Sequence, residues 1–474
     1  MKSFKRISAA LLAIGMSVTL FGCGKGGSDS SYTQTIAVPT ADQIDAIPDG
    51  AEKTLDWCSY YDLNPSSNSA EKYTNVSLFE DKGGKINYIN CGGSANKFNK
   101  LSELILANTP PDIFPYEQKM TFPIGVIQGR YQPVDSIVNF DSPLWSDVKD
   151  TADQFSINGK HYVAPIAFGT LVTLTYDLNV IEREGLEDPY KLYQEGKWDW
   201  NAFYNIMKQY KENAEGDEER YGINGWYHPF FFQSTGETII KKDPETGKFI
   251  NNIKNANLER AANFLYRLTK EGLDNPAWIG DASSTFNGNT LFFAMGPWAS
   301  TGGPHTPKKD DRWGVVPIPR DPESDIQYTT LDIGSYMWVK GSKKTEAMKC
   351  WYECSKLAST ADQYKEISKK KFFVDNPYWT DEAYQVTYED VISDQFTRVI
   401  DPGYGISTIL SDDDAATTIT KEAVIAYLYT SVRKFDDNGV QLTWTQVREQ
   451  YNPTINSELK KFNESLDRFI KDDK

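Results

Sequence analysis

Apolar residues along this chain switch repeatedly between two periods, and that switching restricts the fold more than any other feature. Short strand-like runs are followed by stripes spaced three and four residues apart, the period of a helix. Residues 75–91 carry two apolar runs around Lys82-Gly83-Gly84-Lys85, which predicts a hairpin or strand pair. Phe98, Leu101, Leu104 and Ile105 then form a helical stripe, with Ser94 placed to cap it. Asn108-Thr109-Pro110-Pro111 stops that helix, and Asp112-Ile113-Phe114 reads as a short strand. Residues 162–176 are rich in β-formers and are interrupted by Pro165 and Gly169. Asp199 is the expected N-cap of a helix whose stripe is Trp200, Phe203, Tyr204 and Met207. Leu258, Ala261, Leu265 and Leu268 repeat that stripe up to a stop at Gly272. Residues 291–295 read as a buried strand ended by Gly296-Pro297, and residues 315–319 as an extended segment that its prolines confine to an edge or crossover. Ile455, Leu459, Phe462, Leu466 and Phe469 form one face of a final helix. Strand and helix in alternation through short connections predict an α/β fold, and 474 residues suit roughly two or three domains.

The N-terminus stands apart. In residues 1–22, Lys2, Lys5 and Arg6 precede an apolar stretch, residues 7–21, that is too short to span a bilayer comfortably and has the make-up of a secretory signal. It ends in Leu20-Phe21-Gly22-Cys23, which resembles the lipobox of bacterial lipoproteins, so Cys23 is the expected site of lipidation. Residues 23–50 are rich in Gly, Ser, Thr and Pro without an apolar period and read as a flexible tether behind that lipid. No later stretch reaches eighteen apolar residues, so the lipid would be the only anchor. Processing after residue 22 removes three of 50 cations and none of 66 acids, leaving 47 against 66 and a net charge of −19. Nucleic acid is a poor partner for such a chain, because phosphate binding needs clustered Lys and Arg.

Motifs that carry chemistry are sparse. There is no Gly-x-Ser-x-Gly elbow, no Walker loop and no dinucleotide fingerprint after a strand. His161, His228 and His305 lie far apart with no metal-ligand spacing, and Asp412, Asp413 and Asp414 read as a solvated turn. Cys58, Cys91, Cys350 and Cys354 lack the spacing of a zinc or redox site. Cys350 and Cys354 share a helical stripe with Ala347 and Trp351, where a thiol behaves as a small hydrophobe. Buried thiols are expected at these positions, with a Cys58–Cys91 disulfide left open. No catalytic residue, metal or cofactor is indicated.

Six segments then fall in a telling order. They are Pro111-Asp112-Ile113-Phe114; Gly159-Lys160-His161-Tyr162-Val163-Ala164-Pro165 with Leu174-Thr175-Tyr176-Asp177-Leu178-Asn179; and Trp198-Asp199-Trp200-Asn201-Ala202-Phe203. Gly288-Asn289-Thr290-Leu291-Phe292-Phe293-Ala294-Met295-Gly296-Pro297-Trp298, Trp313-Gly314-Val315-Val316-Pro317-Ile318-Pro319 and Gly334-Ser335 ahead of a Lys-Lys-x-Glu-Ala helix complete the set. Together they resemble the family 1 extracellular solute-binding proteins of carbohydrate ABC importers, the group that includes the maltodextrin binders. The resemblance implies a periplasmic-binding-protein-like type II fold, two α/β lobes joined by a hinge with the ligand in the cleft between them. Lobe 1 would hold residues 51–168 and 322–365, and lobe 2 residues 169–321 and 366–474, with crossings near residues 167–170 and 319–323. It implies a receptor and not an enzyme. Such a receptor is a monomer, lipid-anchored on the outer face of the cytoplasmic membrane, that captures a carbohydrate of oligosaccharide size and delivers it to ABC permease subunits. An exported polysaccharide-active enzyme and a binder of a non-sugar solute, such as a peptide or polyamine, are the alternatives.

A sugar offers flat C–H faces and a rim of hydroxyls, which aromatic rings and carboxylate, amide or backbone groups respectively match. On the resemblance, Trp298 stacks a sugar ring after the Gly-Pro turn. Tyr116, Glu117 and Gln118 follow the Pro-Asp-Ile-Phe strand, where the family places an aromatic and polar sugar ligands. Phe168 and Thr170 flank the first crossing, where Gly169 stands at the place of an acidic ligand in the maltodextrin binders. Trp226, Tyr227 and His228 follow Tyr221-Gly222-Ile223 and offer stacking plus one polar contact, although core packing would account for them as well. Asp332 is the expected hydroxyl acceptor near the second crossing, and Tyr404 is a loop aromatic.

Overall fold

The computed structural model describes residues 42–64, 72–93, 96–279, 288–303, 305–411 and 423–472. The signal, Cys23, Ser94 and the run Asp412, Asp413, Asp414 lie outside the described residues. The described residues form two compact units, one of those up to residue 168, of 333–375 and from 468 on, and one of those within 169–332 and 376–467. In chain order the main elements are β1 (Thr54–Ser59), α1 (Thr74–Asp81), β2 (Lys85–Asn90), α2 (Lys97–Leu106), β3 (Ile113–Pro115), β4 (Thr173–Asp177) and α3 (Trp200–Glu212). They continue with β5 (Tyr221–Gly225), α4 (Ala256–Lys270), β6 (Thr290–Met295), β7 (Trp313–Val316), β8 (Tyr336–Trp338), α5 (Thr345–Thr360) and α6 (Trp444–Asp472).

The first unit is built on a four-stranded sheet in the order β8-β3-β1-β2. β1 runs parallel to β2 and β3, and β8 runs antiparallel to β3. Parallel neighbours need a crossover, and α1 supplies it. Residues 75–91 are therefore a helix, a turn and a strand, not the hairpin or strand pair that their two apolar runs suggest. Runs this short fit either period, and a distant contact decides between them: Phe79 packs edge-on against Trp351 of α5, ring centroids 5.3 Å apart. The turn needs glycine, because Gly83 has a φ of 88° and a Cβ on Gly84 would lie 2.4 Å from the Phe79 ring.

Ile44 and Ile47 are 3% exposed and belong to this core, and the Ile47 N–H donates to the Lys82 carbonyl at 3.0 Å. The folded unit thus begins ahead of residue 50, which corrects the expected end of the tether. Burying an isoleucine stabilises by about 1.5–3 kcal/mol, so two of them dock an otherwise polar stretch. Asp112 ties the sheet together from inside. Only 2% exposed, it accepts from the Asp56 N–H at 2.7 Å, the Ser342 hydroxyl at 2.6 Å and the Lys344 ammonium at 2.7 Å. Cys58, Cys91, Cys350 and Cys354 are free and buried, so no Cys58–Cys91 disulfide is formed. Burial pushes the Cys58 thiol up to about 12, which keeps it neutral.

The second unit has a mixed sheet in the order β7-β4-β6-β5, with β6 parallel to β5 and antiparallel to β4. The Asp199 carboxylate caps α3, accepting from the Asn201 and Ala202 N–H groups at 2.9 Å each. Trp200, Phe203, Tyr204 and Met207 are buried as their spacing predicts. The stripe of α4 is buried too, and α6 buries Ile455, Leu459, Phe462 and Leu466.

The chain first changes unit between Phe168 and Gly169. The second change falls between Asp332 and Ile333, later than the expected 319–323. Arg320 is still held by the second unit, its N–H donating to the Trp198 carbonyl at 3.1 Å and its carbonyl accepting from the Trp200 N–H at 3.0 Å. Asp321, fully buried, is ion-paired with Arg260 of α4. The return at residue 376 comes after the expected 365, at the end of the helix Asp362–Asp375.

Candidate functional site

In open α/β sheets, ligands collect beyond the carboxyl ends of parallel strands, where loops diverge. Each unit places a distinct set of side chains there.

In the first unit, β1 runs out into Tyr60 and Tyr61, β2 into Cys91, and β3 into Tyr116 and Glu117. Lys97, the first residue of α2, forms an ion pair with Glu117, both side chains being mostly buried. The Lys97 ammonium also lies 5.0 Å from the centroid of the Tyr60 ring. Burial pushes the Glu117 carboxyl above its ordinary range, with Lys97 opposing that shift. Glu117 Oε1 is shielded from solvent and has no hydrogen-bond partner among the described residues. Burial, reinforced by the Glu117 charge, keeps the Tyr60 phenol protonated well above its usual range. This corner therefore combines a carboxylate acceptor, an ammonium donor and an aromatic ring, with opposite charges that offset each other.

In the second unit the ends of the parallel strands β5 and β6 carry tryptophans. Trp226 follows β5, its N–H donating to the Ala294 carbonyl at 2.7 Å, and Trp298 lies in the short turn Pro297–Ala299 after β6. Their ring centroids are 5.9 Å apart at 52°. Trp278 extends the patch, its ring 6.3 Å from that of Trp226 and inclined by 23°. Phe293, Met295 and Ala299 form the floor beneath Trp226 and Trp298. Two glycines make room. Gly225 has a φ of 107°, and a Cβ there would lie 2.0 Å from the Ala294 carbonyl oxygen; a Cβ on Gly296 would meet the Trp298 indole at 2.7 Å. Trp298 Nε1 is shielded and has no hydrogen-bond partner among the described residues.

The structure thus brings Trp226 and Trp298 together and puts Glu117 in a charged corner, while other expected residues are spread out. Tyr116 is buried with its ring edge-on to Phe155 at 5.6 Å, and Gln118 is exposed. Phe168 packs half-buried on the core of the first unit. Thr170 is buried and its hydroxyl donates to the Thr387 carbonyl. Asp332 is half-exposed beside Gly169, where a Cβ would lie 3.6 Å from its own. Tyr404 is half-buried in the turn Pro402–Gly405. Tyr227 and His228 are 1% and 3% exposed, their rings 3.9 Å apart. Burial and the nearby Arg433, itself paired with Asp274 at 3.0 Å, hold the His228 imidazole neutral. Those two side chains face the interior, in the packing role that the sequence leaves open.

Sequence reasoning does not reach Tyr60, Lys97 or Trp278. Lys97 reads as an ordinary polar residue at a helix start, and only the fold brings Glu117 to it. A signal did exist for Trp278, a tryptophan directly after the loop residues Asp274-Asn275-Pro276-Ala277. Among the described residues, no group of three or more His, Cys, Asp or Glu is placed to hold a metal ion.

Two α/β units with hydrogen-bonding and aromatic side chains at their strand ends make up a solute-binding protein. The chain belongs to the bacterial extracellular solute-binding protein family, whose model matches residues 69–393. No curated protein matches the chain. Solved structures show the periplasmic-binding-protein-like fold. An ABC substrate-binding protein of Listeria monocytogenes, Lmo0181, solved with cycloalternan, is 14% identical at a TM-score of 0.55, over 85% of this chain and 100% of that one. A solute-binding protein of an ABC transporter from Thermotoga lettingae, solved with α-D-tagatose, is 15% identical at 0.55, over 86% and 100%. The bacterial solute receptor AcbH, described as having an exclusive preference for β-D-galactopyranose, is 11% identical at 0.57, over 86% and 99%.

Proposed function

We propose that this protein captures a carbohydrate outside the cell and delivers it to the permease of an ABC importer. The observation that carries this reading is the patch of Trp226, Trp278 and Trp298 at the strand ends of the second unit. Flat indoles match the C–H faces of a sugar; in the first unit, taken by itself, the Glu117–Lys97–Tyr60 corner carries an acceptor and donors of the kind that match hydroxyls. The sugar ligands named for the Listeria and Thermotoga structures agree with this. Opposite charges at that corner suit an uncharged ligand. The role is binding without bond-making: Glu117, the buried acid there, is paired with Lys97 and not with a nucleophile. Phe168, Thr170, Asp332, Tyr404, Tyr116 and Gln118 are secondary candidates for ligand contact. A thermal-shift screen of neutral mono- and oligosaccharides, polyamines and short peptides tests the proposal. A rise with at least one sugar is expected, and a rise only with polyamines or peptides would contradict it.

The receptor is held at the outer face of the cytoplasmic membrane by lipid on Cys23 and acts as a monomer. Hydrophobic attachment through acyl chains is additive with chain length, so its loss is readily seen. Cys23→Ala is expected to move the protein out of the membrane fraction while leaving ligand affinity unchanged. Retention of that variant in membranes after removal of its signal would contradict the anchor.

A further inference from the structure

A cavity of about 390 Å³ opens in the second unit, beside the loop that follows β7, and none of Trp226, Trp278 and Trp298 lines it. That volume is in the range of small-molecule sites. Tyr193, Trp198 and Phe396 give it aromatic walls, and Arg320, Asp325 and Gln327 give it polar ones. The walls are fixed from behind. Trp198 Nε1 donates to the Pro317 carbonyl at 2.8 Å, the Gln327 side-chain amide to the Ile318 carbonyl at 3.1 Å, and the Tyr193 hydroxyl to the Asp390 carboxylate at 3.1 Å. Arg320 is the unusual member. Every other arginine described in this unit is ion-paired with a carboxylate. Half-buried Arg320 has no ion pair among the described residues, although the chain carries 66 acids against 50 cations. Its Nη1 donates to the Ser324 carbonyl, and its Nε–Nη2 edge has no partner among the described residues. That edge is the planar fork that takes a carboxylate through two parallel bonds. Asp325 is exposed and likewise has neither hydrogen bond nor ion pair among the described residues. Two opposite charges thus line one cavity without pairing with each other.

We infer that this cavity is a second ligand site and that it takes an α-amino acid with a large apolar side chain. The carboxylate of the ligand lies on the Arg320 fork, its ammonium at Asp325, and its side chain against Tyr193, Trp198 and Phe396. A neutral sugar would leave both charges unanswered, and a plain anion would answer Arg320 while meeting repulsion from Asp325. A zwitterion satisfies both. The inference goes beyond the carbohydrate reading and does not depend on it.

The test is calorimetric titration of the processed chain with L-phenylalanine and L-leucine, and with L-phenylalaninamide and N-acetyl-L-phenylalanine, which lack the carboxylate and the ammonium respectively. Saturable binding of at least one free amino acid is expected, weakened about tenfold or more in the amide, whose missing charge is the one Arg320 holds. The N-acetyl compound should lose about twofold to fivefold, because Asp325 is exposed. Arg320→Gln, which keeps a donor for the Ser324 carbonyl, should reproduce the loss seen with the amide, and Asp325→Asn, a change at an exposed side chain, the loss seen with the N-acetyl compound. Trp298→Ala should leave amino-acid affinity unchanged, since Trp298 does not line this cavity. No saturable binding of either amino acid to the wild type at about 10 mM would overturn the inference. So would equal affinities of L-phenylalanine and its amide, or a loss on Trp298→Ala with none on Arg320→Gln.

Discussion

Replacing Trp298 by alanine is expected to weaken carbohydrate binding by about 2–4 kcal/mol, roughly thirty- to a thousand-fold in Kd. The indole is half-buried on the floor of Phe293, Met295 and Ala299, and it sits against Trp226 at 5.9 Å. A ring already held by its neighbours loses little freedom when a ligand stacks on it, so more of the contact energy reaches the affinity. Removing it deletes one stacking surface and exposes the edge of another. Trp298→Phe should keep part of the affinity, because a flat apolar face remains. Stability should fall by less than the about 3–5 kcal/mol lost when a fully buried ring is removed. Kd and Tm measured on the same variants separate the two effects. An alanine variant with wild-type affinity would remove Trp298 from the site.

The largest stability loss is expected at Asp112, inside the first unit. Its two carboxylate oxygens accept from the Asp56 N–H, the Ser342 hydroxyl and the Lys344 ammonium. Alanine would take the acceptor from the Asp56 N–H and the Ser342 hydroxyl and leave the Lys344 ammonium, only 20% exposed, with the Asp56 carboxylate alone at 3.0 Å. Breaking a buried ion pair from one side costs about 3–5 kcal/mol, and Asp112→Ala should approach that range. Asp112→Asn should cost less, since one oxygen still accepts while the amide turns a donor toward donors. Urea unfolding of both variants is the measurement. A loss below about 1 kcal/mol for alanine, the scale of an exposed pair, would mean that Asp112 does not organise the sheet.

Local rules made the second unit more legible than the first. Asp199 and the stripe of α3 could be read directly, because a cap and a 3.6-residue period are set by neighbours in sequence. The start of the first unit could not. β1 buries Leu55, Trp57, Cys58 and Ser59, covering both faces, so it lacks the alternation by which a strand is recognised. Without β1 there was no parallel partner to require a crossover, and α1 passed for part of a hairpin. The second crossing also lies later than the local sequence suggests. Prolines mark residues 315–319 as extended, yet hydrogen bonds to Trp198 and Trp200 keep Arg320 in the second unit. At the site, Trp226 and Trp298 were legible because each follows a strand. Their neighbours Tyr227 and His228 were harder, since the turn at Gly225 sends one residue to the patch and the next two inward. The Lys97–Glu117 pair depends on the fold alone.

The central claim is that the protein binds a sugar and leaves it unchanged. Its most direct test is calorimetric titration of the processed chain with the sugar giving the largest thermal shift, followed by recovery and chromatography of that sugar. The expected result is saturable binding at a single site, with all of the sugar recovered intact after prolonged incubation. Shortened or rearranged sugar in the recovered material, or no saturable binding by any sugar tested, would contradict it.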